Sequence, residues 1–209
     1  SPYTITVAAD GPIRTPAQLE GRRLASHRND AALRMLPEFA RATGIDAGKL
    51  TVEFTELRHR EILPQIVADT RWDAAFGFVN THRAAAIEAG LDPDSTLRFF
   101  EFRDWLPDLY GSALMVGARF ADQDPGWVTG LVRAVNRGLA DTIADIDAAV
   151  DAVGRRVPTF DRVANRERLL GTLAVEMSNA EGARLGIGAV DEDRLARAID
   201  LIVSAKQLP

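Results

Sequence analysis

The stretch TPAQLEGRRLASHRND, residues 15–30, carries the signals that indicate the fold class. Thr15, Pro16 and Gln18 suit the start of a short helix with a capping box. Gly21 suits the end of that helix. The following RRLAS has the character of a short strand, and the polar cluster SHRND stands where that strand ends. This order predicts an α/β unit with a candidate site at the strand-to-helix junction.

Segments of strand and helix character alternate through the first half of the chain. Pro37 is expected to kink the helix predicted over residues 29–43, because proline lacks a backbone N–H group. The alternation predicts an α/β fold with a mostly parallel sheet. A further helix is expected around residues 62–67, and the predicted strands are YTITVAA (3–9), RRLAS (22–26), TVEFTEL (51–57), DAAFGFV (73–79) and TLRFFEF (96–102).

The second half of the chain is predicted to be helical after one more strand, SALMVGARF (112–120). An apolar stripe at helical spacing runs from Val128 to Ile143. The glycine-rich RLGIGAV (184–190) follows a helix rather than opening one, which predicts a loop. Further helices are expected over about 147–154 and 162–177 and after Asp191, which is placed to cap the last one.

The composition excludes several classes of function. The chain has 209 residues and a net charge of −5, without the basic patch that is typical of nucleic-acid binding. It has no cysteine, which removes disulfides, thiol catalysis and cysteine-bound metals from these residues. No apolar run reaches the roughly 18 residues of a membrane span. The chain begins at Ser1 without an apolar leader, so no signal peptide is present in it.

Three segments carry a resemblance to a known family: IRTPAQLEGRRLAS, WDAAFGFV, and DLYGSALMVGARF with the helical DPGWVTGLVRAVNRGLADTIADIDAAVDAV that follows. Their order and spacing resemble those of type II periplasmic solute-binding proteins of ABC transporters. The similarity is to the branch for aliphatic sulfonates, nitrate and thiamine pyrimidines. The resemblance implies the type II periplasmic-binding-protein fold, in which two lobes are joined by a hinge, with a helical C-terminal part.

The resemblance also implies a domain division. Residues 13–107 are expected to form lobe two, an α/β unit. Residues 1–12 and 108–209 are expected to form the remnant of lobe one plus the C-terminal helices, and the N-terminal part of lobe one is expected to be absent from this chain. An incomplete lobe leaves an apolar face uncovered, so a homodimer through that face is a further expectation.

The junction after RRLAS is the first candidate ligand site. The first N–H groups of a helix attract anions, and Ser26 and Arg28 could assist a bound anionic group. His27 and Asn29 lie in the same junction, which faces the cleft in the resembled family. The alternative is an ordinary helix cap by Ser26 or Asn29 with Arg28 in solvent. Asp30 argues against an anion, because its carboxylate would compete for the same N–H groups.

The second candidate site combines a strand end with the crossover between lobes. Asn80 follows a strand and could hydrogen-bond a heterocycle edge, or it could be a turn residue. Asp104, Trp105 and Tyr110 lie where the family's chain returns to lobe one, and either ring could stack on a planar ligand. The alternative is a hinge loop with partly buried aromatics. A planar heterocycle suits these residues better than a bare oxyanion.

The remaining motifs indicate neither a metal nor a cofactor. The three histidines, His27, His59 and His82, have no metal-binding spacing, so no zinc site is expected. No phosphate-binding loop and no nucleophile elbow is present, so no catalytic residue and no cofactor is expected.

The resemblance implies the substrate-binding component of an ABC importer, which captures a small organic molecule such as a sulfonate or a pyrimidine between its lobes. Its partner would be the transporter permease, and it would act in the periplasm or outside the cell, associated with the membrane through the transporter. The alternative is an enzyme on the same fold, similar to pyrimidine synthases or desulfinases. Those enzymes depend on cysteine in the family pattern, and its absence here disfavours that alternative. An orphan or sensory binding domain is a third hypothesis.

Overall fold

A five-stranded sheet organises the first half of the chain in the computed structural model, which describes residues 1–157, 159–177 and 180–206. The strands are β1 (Tyr3–Ala8), β2 (Arg23–Ser26), β3 (Thr51–Phe54), β4 (Ala74–Phe78) and β5 (Leu97–Glu101). Their order across the sheet is β3-β2-β4-β1-β5. β2 pairs in parallel with β3 and β4, whereas β1 is antiparallel to both β4 and β5. Four strands therefore point in one direction and β1 in the other.

The position of the antiparallel strand β1 differs from one part of the expected domain division. Residues 1–12 were expected to belong with the remnant of lobe one. Instead, β1 lies between β4 and β5 in the middle of the sheet, so residues 3–8 share one sheet with residues 23–101. The division of the remaining chain into two lobes stays a proposal.

The helix predicted over residues 29–43 is divided into α1 (Ala31–Arg34) and α2 (Leu36–Thr43). The break falls at Met35, two residues before Pro37, whose ring has no N–H group to continue the helical hydrogen bonds. The capping box at residues 15–18 is present, with Gln18 Oε1 accepting from the Thr15 backbone nitrogen at 3.0 Å, but it opens a 3-10 helix (Pro16–Leu19).

Helices cover both faces of the sheet. Successive strand residues point to opposite faces, so Leu24 packs in one core cluster and its neighbour Ala25 in the other. α1 and α2 contribute Phe39 and their other apolar side chains to the first cluster. The second cluster contains Ile62, Leu63 and Ile66 from α3 (His59–Val67) and a fully buried tryptophan, Trp72. The helices of this half that follow α2 are α3 (His59–Val67), α4 (Val79–Glu88) and α5 (Pro93–Thr96).

The second half is helical, as predicted, but the strand expected at residues 112–120 is wrong. Residues 111–117 have no regular structure, and Ala118 begins a helix. No strand lies beside this segment in the part of the chain that is described, and a lone strand leaves its backbone groups unpaired. The helices are α6 (Ala118–Gln123), α7 (Pro125–Ala144), α8 (Ile146–Gly154), α9 (Arg162–Thr172, continued by a π-helical Leu173–Met177), α10 (Ala180–Leu185) and α11 (Glu192–Lys206).

The apolar stripe of α7 is at the surface. Among the described residues, none in α6 or α7 is buried, although α7 has a regular helical face of apolar side chains. By contrast, α9 packs closely on α4 and connects the helical half to the α/β half. No described helix has the length and apolar character that crossing a membrane requires. The exposed apolar side chains of α7 are Trp127, Val132, Val135 and Ile143.

Candidate functional site

The carboxyl ends of β2, β3, β4 and β5 lie at one edge of the sheet, because these four strands run in the same direction. Ligands of open α/β sheets bind beyond such ends. We call this edge the strand-end edge and define it by the residues at the ends of the four strands and directly after them: 26–30, 55–59, 78–82 and 102–105. It contains seven of the eight site residues predicted from sequence, and Tyr110 is the one that lies outside it.

The junction after β2 is capped by Asp30, not by Ser26 or Asn29. Asp30 Oδ1 accepts from the Ala32 backbone nitrogen at 2.8 Å and opens α1. Ser26 is buried, and its hydroxyl donates to the His27 carbonyl at 3.1 Å. Asn29 is exposed. Burial raises the pKa of the Asp30 carboxyl, and its backbone hydrogen bonds oppose that shift. The four-residue α1 therefore has its first N–H groups already bonded by a carboxylate.

Arg28 is the exposed cation of this junction. Its guanidinium carbon lies 5.0 Å from the ring centre of Phe54, the last residue of β3, in a cation–π contact. This contact holds a positive charge over the ends of two neighbouring parallel strands. Arg28 therefore remains able to contact an anionic ligand at the strand-end edge.

All three histidines of the sequence meet at the strand-end edge. The ring centres of His27 and His59 are 4.8 Å apart, and those of His59 and His82 are 4.4 Å apart, both in edge-on contacts. His27 Nε2 lies 2.8 Å from the Leu57 carbonyl oxygen, so Nε2 carries the proton and donates. His82 is fully buried, and its Nδ1 is hydrogen-bonded to the Thr6 hydroxyl at 2.7 Å.

Burial disfavours the charged forms of the two inner histidines, His59 and His82. Burial lowers the pKa of His59 to about 4, with a further contribution from the nearby His27, and a hydrogen bond to the Phe76 backbone opposes the shift. Burial, followed by the neighbouring His59, holds the pKa of His82 well below its usual range. The close contact of the three rings therefore does not bring several positive charges together, because the charged forms of His59 and His82 are disfavoured.

His27, Asp30 and His59 form a group of side chains that the spacing along the sequence did not predict. One possible ligand atom from each of His27, Asp30 and His59 lies within 4.8 Å of the other two, and all three residues are half-buried. The expectation of no metal site considered spacing along the chain alone. The sequence did contain a signal for the clustering of the histidines. Each histidine follows the carboxyl end of a predicted strand, and such ends are neighbours in a parallel sheet.

Asn80 differs from its predicted role. It is 5% exposed and lies in α4, where its Nδ2 donates to the Thr172 hydroxyl of α9 at 2.7 Å. Its Oδ1 accepts from the Thr81 backbone nitrogen at 2.9 Å. The backbone of α9 approaches so closely that a Cβ at Gly171 would lie 2.9 Å from the Asn80 Cβ. The amide thus joins two helices and offers no free edge to a heterocycle.

The crossover residues are also engaged within the protein. Trp105 is half-buried, and its ring meets Phe39 edge-on with the centres 5.3 Å apart. Tyr110 donates its hydroxyl proton to Glu181, and the Arg194 guanidinium carbon lies 4.2 Å from its ring centre. Asp104 is exposed at the end of a 3-10 helix. Both aromatic rings thus have partners within the protein, and their stacking on a ligand stays a prediction.

A cavity of about 400 Å³ lies at the opposite edge of the sheet, where the sequence predicted no site. Its lining includes the end of β1, the residues before β4 and β5, and three carboxylates, Asp10, Asp69 and Asp73. Asp73 accepts from the Arg23 backbone nitrogen at 2.8 Å and lies 3.6 Å from the Arg22 side chain. That carboxylate therefore has structural partners already.

Comparison with known proteins identifies the family and the fold. The family model for NMT1/THI5-like proteins matches residues 1–149. No curated protein sequence matches the chain. The structure is similar to the periplasmic aliphatic sulphonate-binding protein SsuA from Escherichia coli, with a TM-score of 0.68 and 17% identity over 99% of this chain and 65% of that chain.

Two further solved structures have the same fold. The alkanesulfonate-binding protein SsuA from Xanthomonas axonopodis pv. citri, bound to MOPS, gives a TM-score of 0.60 and 18% identity over 100% of this chain and 66% of that one. The desulfurization enzyme DSZB gives a TM-score of 0.53 and 17% identity over 99% of this chain and 70% of that one. The chain thus spans just under two thirds of each sulfonate-binding protein, and it has the periplasmic-binding-protein fold predicted from the sequence.

Proposed function

The chain belongs to the NMT1/THI5-like family, and from this membership and its SsuA-like fold we propose that it is the substrate-binding component of an ABC importer. It binds a small organic molecule at the strand-end edge. The second wall of the binding cleft is another lobe, and closure of the two lobes presents the loaded protein to a permease. In this proposal the protein works in the periplasm or outside the cell.

The observation that carries this proposal is the convergence of four strand ends on one edge, with polar side chains in the segments that follow them. That arrangement is the usual ligand position of open α/β sheets. Arg28 supplies an exposed positive charge there, and the backbone at residues 26–30 supplies polar groups.

A sulfonate is the first ligand class to test. Asn80, Trp105 and Tyr110 carried the sequence argument for a planar heterocycle, and all three have partners inside the protein. Isothermal titration calorimetry of the full-length protein should compare alkanesulfonates and MOPS with hydroxymethylpyrimidines. Saturable binding of a sulfonate would support the proposed sulfonate-binding role. Binding of pyrimidines alone would assign the chain to the pyrimidine-binding proteins instead. Binding of neither class would contradict the proposal.

Replacing Arg28 with alanine is expected to weaken binding of an anionic ligand by about 1.5–3 kcal/mol, the range for a hydrogen bond to a charged group. Because Arg28 is exposed, binding should also weaken as the salt concentration rises. The matched control is Arg14→Ala, since Arg14 is exposed and donates to the Ala9 carbonyl at the opposite edge. Equal affinities for the Arg28→Ala variant and the unaltered protein would remove Arg28 from the site.

We propose a binding protein rather than an enzyme. The fold of DSZB is similar, and fold likeness alone does not separate the two classes. The 209 residues contain no cysteine, so they supply neither a cysteine nucleophile nor a cysteine-bound iron. Release of sulfite from an aryl sulfinate by the full-length protein would support the enzyme hypothesis instead.

The exposed stripe of α7 is proposed to be covered by further protein surface, either the rest of lobe one or a second copy of the chain. The 209-residue chain alone is therefore expected to associate in multi-angle light scattering. Changing Val132 and Val135 together to glutamate should reduce this association, because charges on both partners would be buried. Val163→Glu, an exposed position on α9, is the control. A monomer at every concentration would contradict the proposal.

A further inference from the structure

We propose that His27, Asp30 and His59 bind one divalent transition-metal ion of the Zn²⁺ class at the strand-end edge. The three residues come from two different strand-to-helix junctions, and possible ligand atoms from all of them already lie within 4.8 Å of one another. Two imidazoles and one carboxylate are a recurrent ligand set for zinc and for non-haem iron. This inference concerns the chain's own residues and does not depend on the proposed transport function.

The geometry of the ligands favours a small ion. A tetrahedral Zn²⁺ with bonds of about 2.0–2.1 Å places its ligand atoms roughly 3.3 Å apart, so ligand atoms that lie within 4.8 Å of one another need to approach by at most about 1.5 Å. His27 and Asp30 lie around a turn before α1, and His59 is the first residue of α3. All three are half-buried, so side-chain rotation can close the site while a fourth position stays open to solvent.

The hydrogen bonds of two ligands prepare them for a metal. His27 donates from Nε2 to the Leu57 carbonyl at 2.8 Å, which leaves the lone pair on Nδ1. Metal-bound histidines usually make this kind of second hydrogen bond, because it fixes the tautomer and the ring orientation. The two backbone N–H groups that bond Asp30 both approach Oδ1. Oδ2 is therefore the oxygen that can turn to an ion.

The charges around the group are compatible with a cation. Asp30 supplies one carboxylate, and the ring of His82 lies edge-on to His59 with the ring centres 4.4 Å apart. Arg168 opposes a cation near His59, but its guanidinium lies 3.7 Å from the Glu88 carboxylate, which partly offsets that charge. A bound divalent ion would also outweigh the negative charge of Asp30, so the local charge beside an anionic ligand would become positive.

The test is a Zn²⁺ titration of tag-free, chelator-treated protein by isothermal calorimetry, with no organic ligand present. One ion per chain is expected. His27→Gln, His59→Gln and Asp30→Asn should each weaken binding by at least about 100-fold, since loss of an outer-shell partner alone costs 10- to 100-fold. Mg²⁺ should bind far more weakly, because it prefers an all-oxygen site.

The control for Asp30→Asn is Asp46→Asn, because Asp46 also caps a short helix and accepts from a backbone nitrogen at 2.9 Å. Asparagine caps helices as well as aspartate does, so both variants should fold and differ only in Zn²⁺ binding. Co²⁺ should give visible absorption bands that the His59→Gln variant lacks. The proposal is overturned by absence of saturable Zn²⁺ binding, by equal binding in the His59→Gln variant, or by equal affinities for Mg²⁺ and Zn²⁺.

Discussion

Replacing Gly77 with alanine is expected to lower the free energy of unfolding by about 3 kcal/mol, the upper end of the usual cost of overpacking. A Cβ at this position would lie 2.2 Å from Nε2 and 2.8 Å from Cε1 of His82. That ring cannot move aside easily, because it is fully buried and bonded to the Thr6 hydroxyl. Gly77 pairs with Thr4 in the middle of the sheet, which also limits movement of the backbone.

Urea unfolding of the Gly77→Ala variant measures this loss. Gly130→Ala is the matched control, since Gly130 lies inside α7 with open space where a Cβ would be added, and no loss is expected there. Measuring Gly77→Ala in a His82→Ala background tests whether the clash with the His82 ring causes the loss of stability. If the clash is responsible, Gly77→Ala should cost much less in that background; an equal cost in both backgrounds would contradict this explanation.

Replacing Phe39 with alanine is expected to lower the free energy of unfolding by about 3–5 kcal/mol, the range for a deleted core aromatic ring. Phe39 is fully buried, and its ring stacks on that of Phe102 with the centres 4.3 Å apart. It also meets Trp105 edge-on. The substitution therefore removes one ring from the middle of three, and the neighbours cannot close the cavity without leaving their own contacts.

Phe54→Ala is the control for Phe39→Ala, because Phe54 lies in the same α/β half but is 49% exposed. Its loss should cost about 1 kcal/mol or less. The comparison requires cooperative unfolding, which coincident fluorescence and circular-dichroism transitions would establish. Similar losses for the two variants would show that the core is not centred on the Phe39 ring.

Local signals predicted the α/β half well. The capping box at Thr15 and Gln18 and the five strands depend on residues close together in sequence, and all of them are present. The orientation of β1, by contrast, could not be predicted from local signals. Whether a strand runs parallel or antiparallel depends on partners far along the chain, and for β1 those partners are β4 and β5.

The prediction of a strand at residues 112–120 failed for the same physical reason, which is that strand formation depends on partners far along the chain. The composition of this segment suits a strand, but a strand needs a neighbour to pair its backbone groups, and the described residues provide none. Pro37 illustrates the opposite case: its effect is local, and the expected disturbance of the helix occurs next to it.

The place of the junction in the fold was predicted better than the contacts of its residues, and its role as a ligand site stays a prediction. The junction at residues 26–30 is at the expected edge, yet Asp30 caps the helix in place of Ser26 or Asn29. Asn80 was predicted from its place after β4, but its bond to Thr172 joins residues far apart in sequence. The histidine cluster was missed for the same reason, because spacing along the chain does not measure the distance between neighbouring strand ends.

The central claim is that a small organic ligand binds at the strand-end edge. Hydrogen exchange of the full-length protein, measured with and without a saturating alkanesulfonate, tests it most directly. The account predicts slower exchange of the backbone amides at residues 26–30, 55–59 and 78–82, with no change around the opposite cavity at Asp10 and Asp73. Protection at that cavity, with unchanged exchange at the strand-end edge, would contradict the account.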